Sequence, residues 1–250
     1  MIVGAVSDIG LRRENNQDSM FTSTEGDFPL FIVADGMGGH KAGDIASRMA
    51  VEGIVKYLKN NQDRINSEEN IKILIREAVE YVNTEIYLES FEVPEYLGMG
   101  TTITLAYIYN SKVFVCHVGD SRAYLVINKK IKQITEDHTL VNELIKNGSI
   151  TPAEAINHPQ KNLITRAIGT SCDIEMDFYT INIRKDDVFI LCSDGLSNMV
   201  GEDSILDVVS NNLNKNMNEI CNSLVELAKE NGGKDNITVI GIKFDDEVLK

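Results

Sequence analysis

The sequence predicts an α+β protein in which mostly antiparallel sheets stack on each other with helices on the outside. Three observations carry that expectation. Short β-like runs fall into two groups along the chain, and each group is followed by a pair of helical patterns. The runs of the central block are joined by two-residue turns, Asn110-Ser111 and Asn128-Lys129, which make hairpins and therefore antiparallel neighbours.

The elements follow in order. Residues 2–7, 19–22 and 30–34 are β-like runs rich in Val, Ile and Phe. One helical face is marked by Ile45, Met49, Ile54 and Leu58. A second helix opens at a capping Ser67 and places Ile71, Leu74, Ile75, Ala78, Val82 and Ile86 at helical spacing. The β-rich block comprises 101–109, 112–118, 123–127 and 131–134. From 139 to about 168 the chain turns polar and helical, with Gly148 and Pro152 as breaks. Strands resume at 174–183 and 187–192, two helices are expected near 202–212 and 216–231, and a last strand covers 237–244.

With 250 residues the chain suits one large domain or two small ones, and no linker, internal repeat or low-complexity run divides it. Net charge is −14, from 24 basic and 38 acidic residues, which argues against unaided nucleic-acid binding. Some of that acid can instead cluster to hold cations. The four cysteines form no CxxC pair, and three lie in apolar surroundings, as expected of reduced thiols in the cytoplasm. The opening residues carry no basic stretch or cleavage site of a leader, and no apolar run approaches a membrane span, so no membrane partner is expected.

The stretch Phe31 to Gly43, FIVADGMGGHKAG, resembles a phosphate-cradling loop except that an acid, Asp35, follows the apolar run. No Gly-Lys-Ser/Thr completes a nucleotide-binding loop. Asp35 has counterparts. Gly119-Asp120 and Ser193-Asp194-Gly195 end other β-like runs, while Asp18 and Asp235 stand just before two more. One Asp-Gly after a strand is a turn signal. Five aspartates at strand ends imply convergence on one sheet edge, where they would repel each other unless cations neutralised them. All-oxygen donors point to Mg²⁺ or Mn²⁺. On this reading Gly36 brings its carbonyl to an ion, and Gly38 and Gly39 turn the chain into the next helix.

The same residues carry a resemblance. Gly10-x-x-Arg13-x-x-Asn16-Gln17-Asp18, Ala34-Asp35-Gly36-Met37-Gly38-Gly39-His40 and Gly98-Met99-Gly100-Thr101-Thr102 resemble successive signatures of the metal-dependent protein phosphatases of type 2C. Val118-Gly119-Asp120-Ser121-Arg122, Asp137-His138, Arg166-Ala167-Ile168-Gly169, Ser193-Asp194-Gly195 and Asp235-Asn236-Ile237-Thr238 continue them in the family's order. Asp-Gly-Met-Gly-Gly-His resembles the bacterial branch. Gln17 stands where many eukaryotic relatives carry a glutamate, a departure that bears on one acidic contact near the metals.

The resemblance implies a four-layer α-β-β-α sandwich, two mostly antiparallel sheets flanked by helix pairs, with a two-metal centre at one edge. It implies a single phosphatase catalytic domain over 1–250, with 139–168 as a flap. Asp35 would bridge two Mn²⁺ or Mg²⁺ ions, joined by the Gly36 carbonyl, Asp194 and Asp235. Asp18 would act mainly through water, Asp120 with Asp194 would form a third, weaker site, and Arg13 would grip the substrate phosphate. Water bridging the ions would attack phosphorus as hydroxide, releasing phosphate from phosphoserine and phosphothreonine on proteins and reversing a partner Ser/Thr kinase. A catalytically silent phosphoprotein-binding module of the same fold is the alternative, and the full set of aspartates disfavours it.

Two further signals need weighing. Cys116 to Arg122 fits C-x-x-G-x-x-R, the outline of a cysteine phosphatase loop. The residues after Arg122 continue as a strand, however, and Asp120 would put negative charge in the phosphate cradle, so Cys116 reads as a packed strand residue. His40 is a candidate general acid, beside the plainer reading of a loop histidine bonded to a neighbouring carboxylate. His138 is expected to orient backbone at the flap base, His117 to lie in a strand, and His158 to have no role.

Overall fold

The computed structural model describes residues 1–23, 28–38, 42–213 and 215–246. The strands of the first half are β1 (Ile2–Asp8), β2 (Asp18–Thr22), β3 (Leu30–Met37), β4 (Gly100–Thr101), β5 (Ile103–Tyr109) and β6 (Lys112–Val118). β7 (Arg122–Ile127), β8 (Lys130–Gln133), β9 (Asp177–Asn182), β10 (Val188–Cys192) and β11 (Ile237–Lys243) follow. The helices are α1 (Ala42–Asn60), α2 (Glu68–Glu92), α3 (Leu140–Lys146), α4 (Pro152–Ile156), α5 (Asp194–Ser197), α6 (Glu202–Asn211) and α7 (Met217–Glu230).

One sheet runs β1-β11-β10-β7-β8, and the other β2-β3-β5-β6-β9 with β4 on β3. All neighbouring strands are antiparallel. Period-2 alternation gives each sheet two apolar faces. Phe31, Val33, Ala106, Leu191 and Ile240 meet between the sheets. Ile32, Leu105 and Phe114 pack under α1 and α2, while Ile190, Cys192 and Val239 pack under the helices of the C-terminal part. This is the four-layer α-β-β-α arrangement that the sequence predicts.

The turns form as expected. Asn110, Ser111, Asn128 and Lys129 all have φ between 48° and 60°, the left-handed pair that a tight hairpin demands. Other details differ. β3 does not stop at Ala34 but continues through Asp35 and Gly36, because Gly36 and Met37 pair with Thr101 and Gly100 of β4. The expected strand 101–109 breaks at Thr102, whose N–H is drawn to the Asp35 carbonyl at 2.9 Å. Pro152 starts α4 rather than breaking a helix, inside a capping box of Thr151 and Glu154. α5 was not anticipated.

Half of the predicted face of α1, Ile54 and Leu58, is buried as expected, and the other half is displaced by one residue. Ile45 and Met49 are half-buried flanks, and the row on the sheet is Ala42, Ala46, Ala50, Ile54 and Leu58. Small side chains let the helix lie close on β3, so volume matters there. Ala46→Leu should lower the unfolding free energy by about 1–3 kcal/mol through overpacking, while Met49→Leu should cost less than about 1.5 kcal/mol. Urea denaturation of the two variants measures the contrast, and equal losses would show that the row is not tightly packed.

Candidate metal centre

Asp18 and Asp35 are direct cross-strand partners on β2 and β3. Asp35 has the same parity as Phe31 and Val33, so both carboxylates face the space between the sheets, at the end of that apolar core. Asp120 lies in the β6–β7 turn, Asp194 opens α5 directly after β10, and Asp235 precedes β11. The structure thus gathers acids from both sheets. The charges of Asp18, Asp194, Asp120 and Asp235 all act on Asp35.

Gathering them has an electrostatic cost that shows in their protonation. Burial first, then the neighbouring Asp18, holds the Asp35 carboxyl well above the ordinary carboxylate range. Burial pushes Asp18 up to about 7, although the nearby Thr238 and Ser193 hydroxyls pull the other way. Asp120 is pushed up to about 8 by burial and then by Asp194, and Asp194 to about 6 by burial and then by Asp235. Each departure reports a charge short of a counter-charge.

Hydrogen bonding says the same. Among the described residues, Asp18 Oδ1, Asp120 Oδ1 and Asp194 Oδ1 are buried without any partner. For two of them the other oxygen is anchored: Ser193 Oγ donates to Asp18 Oδ2 at 2.8 Å, and Asn198 Nδ2 donates to Asp194 Oδ2 at 2.9 Å. Unpartnered buried carboxylate oxygens are rare unless something positive completes them. A hard divalent cation fits this donor set. Among the described residues, however, no group of three or more His, Cys, Asp or Glu side chains stands arranged to hold an ion alone. The backbone carbonyl and water would have to complete the coordination.

The remaining predicted site residues fall into place unevenly. Arg13 is in the cluster, with Nη2 donating to Asp235 Oδ2 at 2.6 Å and its side chain 48% exposed. Gly36 is there, for a reason the sequence reading did not give. A Cβ on Gly36 would lie 2.0 Å from the Gly43 carbonyl oxygen, so the glycine is what lets α1 start against β3. Gly38 turns with φ 143°. Gly39 and His40 lie outside the described residues.

His138 does orient backbone: the Gly119 N–H donates to its Nδ1 at 3.0 Å, and its own N–H donates to the Gly119 carbonyl at 2.7 Å. Cys116 lies within β6 and is fully buried, and burial pushes its thiol up, away from a reactive thiolate. The sequence reading missed the hydroxyls of Thr102, Ser121, Ser193 and Thr238, all fully buried around the acids. The only signal was their position beside the aspartates. It also missed the pairing of Arg122, whose guanidinium grips both oxygens of Asp137, at 2.6 Å for Nη2 to Oδ2.

The raised acids set a pH dependence for the metal-free protein. An aspartate raised on folding binds its proton more tightly folded than unfolded, where it titrates near about 3.9. Its penalty is therefore absent below about pH 4, grows as pH climbs, and levels off once the folded groups have ionised. With groups at about 6, 7 and 8, chelator-treated protein should lose stability steadily between about pH 4 and pH 8. Mn²⁺ should then raise the Tm more at about pH 8 than at about pH 5.5. Scanning calorimetry at the two pH values checks this, and an equal rise at both contradicts it.

Comparison with known proteins agrees with this geometry. A family model described as protein phosphatase 2C matches residues 12–229. The serine/threonine phosphatase stp of Listeria monocytogenes is 39% identical over 241 residues, covering 96% of this chain and 94% of its own length. The crystal structure of the Mycobacterium tuberculosis serine/threonine phosphatase PstP/Ppp is 35% identical, with a TM-score of 0.86, over 98% of this chain and 100% of that one. A structure of the PstP catalytic domain in complex with two manganese ions is 34% identical, with a TM-score of 0.82, over 97% and 98%. This chain belongs to the protein phosphatase 2C family, as a serine/threonine phosphatase of its bacterial branch.

Proposed function

We propose that the chain hydrolyses phosphoserine and phosphothreonine on proteins at a centre of two Mn²⁺ or Mg²⁺ ions. Asp35, the Gly36 carbonyl, Asp194 and Asp235 hold them, Asp18 contributes through water, and Asp120 with Asp194 offers a third, weaker position. The observation that carries this reading is the trio of buried, unpartnered oxygens on Asp18, Asp120 and Asp194. Bound there, the cations supply Lewis acidity, making water nucleophilic near neutral pH and drawing off the charge of the phosphate.

The chain's own groups do the rest. Ser193 fixes the rotamer of Asp18. Arg13, half in solvent, turns its forked donors from Asp235 to the substrate phosphate. His40 protonates the leaving alkoxide. A cleft of about 350 Å³ opens beside Asp120 and Asp194, walled by Ile156 and Lys161 of the segment 139–168. We read that segment as a flap on a single catalytic domain over 1–250, facing the peptide around the phosphoresidue. No helix among the described residues is long and apolar enough to cross a membrane. A cytoplasmic setting fits the four free cysteines, and the family resemblance supplies the partner Ser/Thr kinase.

Two experiments test the reading. Asp194→Asn and Asp235→Asn each remove a charge that holds an ion, so each should weaken Mn²⁺ binding by more than the ~10–100-fold that even an outer contact commands, and activity should fall with it. EDTA should silence the wild type until Mn²⁺ returns, and Cys116→Ser should stay near wild-type activity. Metal-free activity that is lost in Cys116→Ser would overturn the assignment. For His40, His40→Ala should slow a phosphoserine peptide by about 10²–10⁴-fold but p-nitrophenyl phosphate far less, because nitrophenolate leaves without a proton. Equal slowing of both substrates removes His40 from the role.

A further inference from the structure

Asn236 follows Asp235 and is 4% exposed. Its amide is used on three sides. Nδ2 donates to the Ile9 carbonyl at 2.9 Å and to the Asn15 carbonyl at 3.0 Å, and Oδ1 accepts the Gln17 N–H at 2.9 Å. The partners fix the amide's orientation, since a flipped amide would set oxygen against two carbonyls and NH₂ against an N–H. All three partners lie on the connection between β1 and β2, residues 9–17, which contains no regular element and carries Arg13.

That connection lies flush on residues 233–236. Leu11 N–H donates to the Gly233 carbonyl at 2.8 Å. Gly10, at φ 77°, sits so close that a Cβ there would be 2.1 Å from the Asp235 carbonyl oxygen. Arg13 stands at the middle of the connection with its side chain 48% exposed, so its aim depends on how its backbone is held.

We propose that Asn236 is a positioning residue for the substrate phosphate: its amide pins both ends of the 9–17 connection and so aims the Arg13 guanidinium. This rests on the reading of Arg13 as the phosphate-gripping residue. Losing the amide would leave the Ile9 and Asn15 carbonyls and the Gln17 N–H without this partner. The connection would then sample more conformations, and the arginine would meet the phosphate only part of the time.

The test is steady-state kinetics on a phosphoserine peptide at saturating Mn²⁺, with inorganic phosphate as inhibitor. It compares the wild type, Arg13→Ala, Asn236→Ala and the double variant. Asn236→Ala should raise both KM and the phosphate inhibition constant about tenfold and change kcat less than about threefold. In the Arg13→Ala background the same substitution should move KM less than about twofold, because the group it aims is gone. Its Mn²⁺ affinity, by titration calorimetry, should stay within about threefold of wild type, which separates aiming Arg13 from disturbing the neighbouring Asp235.

Asn236→Ser keeps a hydroxyl that can donate to one carbonyl, and should fall between wild type and Asn236→Ala. If Asn236→Ala melts below the assay temperature, the serine variant carries the same comparison. A wild-type KM in the soluble variants, a KM rise undiminished without Arg13, or a loss explained by Mn²⁺ affinity overturns the proposal. If Arg13→Ala itself leaves KM unchanged, the phosphate reading of Arg13 falls and takes the proposal with it. If Arg13→Ala raises KM and the Asn236 variants do not, the proposal alone falls.

Discussion

Repulsion among carboxylates held out of water is the constraint on which this structure turns. Asp18 and Asp35 face each other across an antiparallel pair, the arrangement in which like charges approach most closely in a sheet. Asp120, Asp194 and Asp235 come from other elements and add to the same field. An isolated protein has no reason to accumulate such a penalty, and most solutions to it would expose the acids or replace them. Here the fold buries Asp18 and Asp120 instead, so the surrounding framework must hold them against their own repulsion. That is the condition of a site prepared for positive charge before the charge arrives.

The framework is a gradient of polarity along the space between the sheets. At its centre Phe31, Val33, Leu191 and Ile240 are fully buried and apolar. Toward the acids the same inward-facing positions carry hydroxyls. Thr102 Oγ1 bonds to Ser121 Oγ at 2.8 Å and takes the Asp35 N–H at 2.9 Å, while Thr238 Oγ1 meets Ser7 Oγ at 2.8 Å. Hydroxyls can both donate and accept, so this layer satisfies itself and, through Ser193, anchors Asp18, while one oxygen each of Asp18, Asp120 and Asp194 stays buried without a partner. The acidic cluster and the apolar core are thereby separated by a few residues on each strand.

What could be read from the sequence follows from what is local. Hairpin turns, strand runs and the capping of α2 by Ser67 depend on neighbours in the chain, and they form as expected. The five aspartates were also legible, because each sits beside a glycine, amide or small residue next to an apolar run. What escaped was non-local. Nothing near Ala34 says that β3 will be extended by pairing with Gly100 and Thr101, some 65 residues away. The alanine face of α1 lost to the larger Ile45 and Met49, since hydrophobicity was read without the separation between helix and sheet. The grip of Asn236 on Ile9 spans 227 residues and leaves no mark in either segment.

The root of the segment 139–168 is bonded to the turn that carries Asp120. His138 bonds to Gly119 through both its backbone N–H and its Nδ1, and its carbonyl accepts from Thr165 at 2.8 Å. Burial lowers its pKa, which keeps Nδ1 bare for the Gly119 N–H. Arg122 and Asp137 clamp the same turn from the other side. Both ends of the segment 139–168 are therefore tied to the turn that carries Asp120, and Ile168 is tied in turn to Thr101. Beyond that root the bonds become local, such as the Thr151–Glu154 capping box, and Ile156 and Leu163 are exposed at 66% and 48%. Long-range bonds thus concentrate beside Asp120 and thin out toward the exposed part of the segment, and a stretch held mainly by local bonds is the one that opens at least cost.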